Sequence, residues 1–208
     1  MHFIHVRSGE ASALPLLLTH GWPGSIVEFL DVIGPLVDPV AHGGEAADAF
    51  DVVVPTIPGF GFSGPTVDAW SVQRVAPAWA ELMRRLGYDS YTAHGGDFGS
   101  AISRELGLVD AEHVVALHLT QLLSASVTAE TADFSDPAEG RSVEQGYRYQ
   151  YELGGYAMLQ SSRPQTLSYA LTDSPSDSLP GSLNGSKTGP TQPTYPRTRS
   201  TARPCLPT

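Results

Sequence analysis

The stretch Gly95-Gly96-Asp97-Phe98-Gly99 constrains this chain more than any other. A β-rich run, residues 90–93, leads into it, and a helical pattern with Ala101, Ile102 and Leu106 on one face follows it. Small residues flanking one reactive side chain, between a strand and a helix, describe an elbow. The turn is so sharp that its central residue is strained and only glycines let the neighbouring backbone pass. Serine often stands at such a centre; here it is Asp97. A carboxylate in that place attacks carbon and forms an ester rather than activating water. The same residues also fit a Gly-rich loop whose aspartate caps the next helix, and the motif alone leaves both readings open.

The rest of the chain supplies a scaffold for that elbow. Residues 3–6 alternate weakly as a strand. Residues 14–19 form a continuous apolar run, as expected of a strand buried on both faces of a parallel sheet. That run stops at His20-Gly21-Trp22-Pro23-Gly24-Ser25. Ser25 with Glu28 spells a capping box ahead of Ile26, Phe29, Leu30, Ile33 and Leu36 at helical spacing. Residues 50–54 are the next strand and end in a rigid loop, Pro55 to Pro65. Ser71 is expected to cap a helix with Val72, Val75, Trp79, Leu82, Met83 and Leu86 on one face, kinked at Pro77 and ended by Gly87. Residues 113–119 read as a further strand. The alternation predicts an α/β fold: a parallel sheet with helices on both faces. The loops at His20, Pro58 and Asp97 should then meet at the carboxyl edge of the sheet, where ligands bind.

Composition narrows the partners. The 208 residues carry a formal net charge of −10, which argues against nucleic acid and anionic membranes. No apolar run is long enough to span a bilayer, and residues 1–7 are too short and polar for a signal peptide. Cys205 is the one cysteine, so no internal disulfide forms and a reducing, cytoplasmic setting is expected. No metal or cofactor motif is present.

After Thr120 the character changes. Residues 124–140 read as a polar loop, 143–160 as an aromatic helix with Tyr147, Tyr149, Tyr151 and Tyr156, and 163–173 as a short helix. This resembles a helical cap over the strand ends. From 176 to 208, Ser, Thr and Pro supply 17 of 33 residues, too few apolar groups to offset the ordering entropy, so disorder is expected. The domain expectation is therefore 1–123 for the core, 124–175 for a partial cap and 176–208 for the tail.

The chain resembles the epoxide hydrolases of the α/β-hydrolase superfamily, of the microsomal and juvenile-hormone type. The matching stretches are 16–25, 54–65, 82–88, 94–99 and 154–175. The resemblance implies a partial α/β-hydrolase fold and conversion of a small apolar epoxide to a vicinal diol through an aspartyl ester, without a cofactor. It assigns Asp97 as nucleophile and His20, Gly21, Trp22 and Pro23 as the oxyanion-hole loop. The backbone N–H groups of Trp22 and Phe98 would be the donors, and Tyr156 would donate to the epoxide oxygen. His94 reads instead as a strand-end histidine bonded to backbone. Trp70 and Trp79 read as core, with Phe60 and Phe62 as candidate pocket residues. Two other readings stand beside this one: a haloalkane dehalogenase-like hydrolase, and a remnant without catalysis.

The second half of that chemistry needs a histidine oriented by an acid, in the chain order nucleophile, acid, histidine. The seven histidines are 2, 5, 20, 42, 94, 113 and 118, so none follows the cap. The resemblance stops after Pro175, and the tail has the patternless composition of a shifted reading frame. The N-terminus also looks clipped against the family. The expectation is a truncated or frameshifted product that opens epoxides once at most.

Overall fold

The structure, a computed structural model, describes residues 1–120 and 129–173. The tail expected to be disordered, and residues 124–128 of the expected polar loop, lie outside the described residues. The chain falls into two compact units that divide after Ser124.

The first unit is a five-stranded sheet with helices on both faces. Its strands are β1 (Phe3–Val6), β2 (Leu14–Thr19), β3 (Phe50–Pro55), β4 (Tyr91–Gly95) and β5 (Val114–Leu119), in the spatial order β1-β3-β2-β4-β5. Its helices are α1 (Leu30–Val37), α2 (Val72–Arg85) and α3 (Phe98–Val109). Pairings β3–β2, β2–β4 and β4–β5 are parallel. The expected all-parallel sheet is corrected at one edge: β1 runs antiparallel to β3, with Ile4 opposite Val54. A parallel neighbour needs a crossover of a dozen or more residues. The short link from β1 to β2 holds no helix, so β1 reaches the far side of β3 in the opposite sense.

The apolar runs of β2 and β3 are explained by cover on both faces. Leu17 and Val53 pack with Val75, Trp79 and Met83 of α2 and Ile102 and Leu106 of α3. Leu16, Leu18, Val52 and Val54 face the other way, onto Ile26 and Phe29. The Ser25–Glu28 capping box forms, but it opens a 3₁₀ turn (Ile26–Phe29) that runs into α1. Ser71 takes the N-cap position of α2, yet its hydroxyl makes no capping bond; its carbonyl accepts from Arg74 and Val75 instead. Gly87, at φ 86°, ends α2 in the left-handed region as expected.

β5 is the edge of the sheet, and among the described residues no strand pairs its outer side. Val115 and Leu117 are exposed there, and the strand carries no Lys, Glu or Pro to blunt pairing with another chain. Val115→Lys is therefore expected to reduce self-association of the 208-residue chain. Light scattering over a concentration series checks this; scattering equal to that of the unsubstituted chain would place the sticky surface elsewhere.

The second unit is helical: α4 (Pro137–Arg148), a π-helical turn (Tyr149–Leu153), α5 (Gly155–Ser162) and α6 (Pro164–Asp173). Asp136 caps α4, its carboxylate accepting from the Ala138 N–H at 2.8 Å. Helix thus begins inside the stretch expected to be a polar loop, because Asp136-Pro137 is a strong start signal. Tyr147 and Tyr151 stack at 5.9 Å.

Candidate active site

Asp97 stands between β4 and α3, as the N-cap of the helix, at φ 51° and ψ −124°. Among the described residues it alone has a positive φ without being glycine. Such a backbone costs about 1–3 kcal/mol and persists only where its surroundings impose it. Here the imposition is close packing of backbone on backbone. A Cβ on Gly99 would lie 2.0 Å from the Thr19 carbonyl oxygen, at the end of β2. One on Gly21 would lie 2.6 Å from the Asp97 Cβ. The loop after β2 and the start of α3 are therefore pressed together, and Asp97 projects at the seam.

The Asp97 carboxylate is held by one oxygen. Oδ1 accepts from the Phe98 N–H at 2.6 Å and from the Trp22 N–H at 2.9 Å. The two sequence readings of this residue thus coincide, since the strained elbow residue is also the helix cap. Two backbone donors and the positive end of α3 converge on Oδ1, and among the described residues nothing bonds Oδ2. Asp97 is exposed and opens onto a cleft of about 390 Å³ lined by Gly21, Trp22, Pro23, Glu28 and Gly96. Glu28 lines this cleft although its sequence signal pointed only to capping; its carboxylate accepts from the Ser25 N–H at 3.1 Å. No periodicity or motif could have shown that the cap faces the elbow.

His20 organises the loop from beneath. It is fully buried; its Nδ1–H donates to the Gly21 carbonyl at 2.9 Å, and its Nε2 accepts from the Ile57 N–H at 3.1 Å. Those two bonds require the neutral ring with its proton on Nδ1, and they tie the loop after β2 to the loop after β3. Phe60 packs against the His20 ring at 5.3 Å. Phe62 is 78% exposed and sits against His2, so neither phenylalanine lines the cleft. Trp79 is core; Trp70 packs at its margin under Arg74. Tyr156 belongs to the second unit, on α5, where its hydroxyl bonds that of Tyr149 at 2.6 Å.

The geometry is that of a strained strand-to-helix elbow with an aspartate at its centre. The family described as "Epoxide hydrolase N terminus" matches residues 1–29. A "Putative epoxide hydrolase" of Stigmatella aurantiaca is 49% identical over 177 residues, covering 85% of this chain and 40% of that protein. Over most of its own length the chain is thus similar to epoxide hydrolases. "Epoxide hydrolase 1" of Sus scrofa is 35% identical over 193 residues, covering 84% of this chain and 42% of that one. The solved structure of the Aspergillus niger epoxide hydrolase superposes with a TM-score of 0.64 at 32% identity, over 85% of this chain and 46% of that chain. The fold is thus that of the α/β-hydrolase epoxide hydrolases. The chain spans about two fifths of the length of these curated relatives.

Proposed function

We propose that the site opens an epoxide through Asp97. The observation that carries this reading is the double hydrogen bond to a single carboxylate oxygen. With Oδ1 held by the Trp22 and Phe98 N–H groups, Oδ2 is the oxygen that attacks an epoxide carbon. The ring C–O bond breaks, and its electron pair leaves on oxygen as an alkoxide. The Tyr156 hydroxyl, on the family's pattern, gives that oxygen its proton. Asp97 becomes an alkyl ester in which Oδ1 is the carbonyl oxygen. Water attack on the ester carbon then places negative charge on Oδ1, already in its cradle of donors, and such preorganisation is typically worth a few kcal/mol. His20, Gly21 and Pro23 hold Trp22 in position.

The substrate proposed is a small, uncharged, apolar epoxide. Tyr156 favours this reading over a dehalogenase, since halide release needs halide-binding N–H donors rather than a phenol over the leaving oxygen. For the 208 residues themselves, the ester is the expected end point, because among the described residues no histidine bonds Asp97 to serve as base at the hydrolysis step. The test is parallel incubation of the purified chain with an aryl epoxide and with the matched alkyl halide. The epoxide is expected to add its whole mass to the protein, and Tyr156→Phe to slow that addition about a hundredfold or more. Faster reaction with the halide would favour the dehalogenase reading.

A further inference from the structure

On the sheet face that carries α1, a second cluster lies in a groove that shares only Glu28 with Asp97's cleft. His94 of β4 and His118 of β5 are register partners. Their rings stack at 4.8 Å with 24° between planes, and their Nδ1 atoms are 2.8 Å apart. Phe29 meets the His94 ring edge-on at 6.0 Å. The pair lies in a groove of about 730 Å³ whose other walls are apolar, chiefly Leu16, Leu18, Phe29 and Leu36, with the Glu28 carboxylate as the acidic group along it.

Two imidazole nitrogens at this distance share one proton, one ring donating and the other accepting. Neutral imidazole nitrogen is the form in which histidine binds metal, and here two such nitrogens lie side by side.

We propose that His94 and His118 form a bidentate site for a divalent copper or nickel ion. The bite decides the class of ion. With metal–imidazole bonds of about 2.0–2.1 Å, nitrogens 2.8 Å apart subtend roughly 85° at the metal. That matches the cis positions of a square-planar or tetragonal ion. A tetrahedral zinc centre would need the nitrogens about 3.3 Å apart. Binding to the neutral pair asks only that the donor ring move its proton from Nδ1 to Nε2. The His118 carbonyl, 3.1 Å from the His94 Nδ1, is a nearby oxygen, and the chain's net charge of −10 draws cations toward it. Among the described residues no group of three or more His, Cys, Asp or Glu side chains gathers for a metal. This is accordingly a two-ligand site completed by water, and it exchanges its ion readily.

The experiment is frozen-solution electron paramagnetic resonance of the purified 208-residue chain with one equivalent of Cu²⁺, and equilibrium dialysis with Ni²⁺. The expected spectrum is tetragonal with coupling to two nitrogens. His94→Gln and His118→Gln should each remove one nitrogen and weaken Ni²⁺ binding about a hundredfold, since the second ligand acts at high effective concentration. His113→Gln should change neither. His118 is exposed at the sheet edge, so His118→Gln keeps the fold even where His94→Gln does not. A spectrum and affinity that survive His118→Gln would overturn the proposal and assign binding to another group, such as the Met1 amine with His2.

Discussion

Asp97→Ala is expected to abolish ester formation with an epoxide completely, since no other carboxylate is held by the Trp22 and Phe98 N–H groups. The same position should show a stability effect of opposite sense. At φ 51° and ψ −124° alanine keeps the backbone strain, whereas glycine relieves it. Asp97→Gly should therefore be equally inactive yet more stable than Asp97→Ala by about 1 kcal/mol. Thermal unfolding followed by circular dichroism reads this difference, and the mass of the protein after exposure to epoxide reads the activity. Equal melting of the two variants would mean that the elbow relaxes without its carboxylate. Residual adduct in either would mean that another side chain is the nucleophile.

Gly99→Ala is expected to be, with Gly95→Ala, among the most damaging single-methyl changes in the first unit. The added carbon would meet backbone oxygens of Thr19 at 2.0 Å and His20 at 2.8 Å, and neither is a flexible side-chain end that can swing away. Overpacking of this kind costs about 3 kcal/mol, a large part of a domain's typical stability of about 5–15 kcal/mol. Relief requires the 20–23 loop and the start of α3 to part, which takes the Trp22 N–H away from Oδ1. The variant should melt well below the parent chain and, where still folded at low temperature, alkylate much more slowly. Gly140, whose added Cβ would meet nothing within 4 Å, is the control: Gly140→Ala should leave adduct formation unchanged. Equal alkylation rates for Gly99→Ala and the parent would show that the seam is not what positions Asp97.

Much of this arrangement was legible in the sequence because it rests on local rules. The glycines around Asp97, the two-faced apolar runs of β2 and β3, the α2 stripe from Val75 to Met83 and the Ser25–Glu28 box each follow from a short-range requirement. What the sequence concealed depends on which elements become neighbours. The antiparallel β1 is set by the short link to β2 and the vacant side of β3. The His94–His118 contact joins residues 24 apart through a β4–β5 register that also carries an irregularity at Tyr91/Thr92. Glu28 reaches the cleft because its 3₁₀ turn is packed beside the elbow, which no periodicity records. Ser71 shows the converse: the residue type and position of a cap were right, but its backbone carbonyl takes the bonds expected of the hydroxyl.

On the proposed reading, Asp97 Oδ2 forms a covalent ester with an epoxide carbon while Oδ1 stays in the N–H cradle. The most direct measurement is peptide mapping by mass spectrometry of the 208-residue chain after incubation with an aryl epoxide. The expected result is one whole substrate mass on the peptide containing Asp97. That adduct should persist, because among the described residues no histidine bonds Asp97, and general base catalysis at such a step usually contributes about a hundredfold to ten-thousandfold. Sustained release of diol over many turnovers with Asp97 unmodified throughout, or an adduct on any other residue, would contradict it.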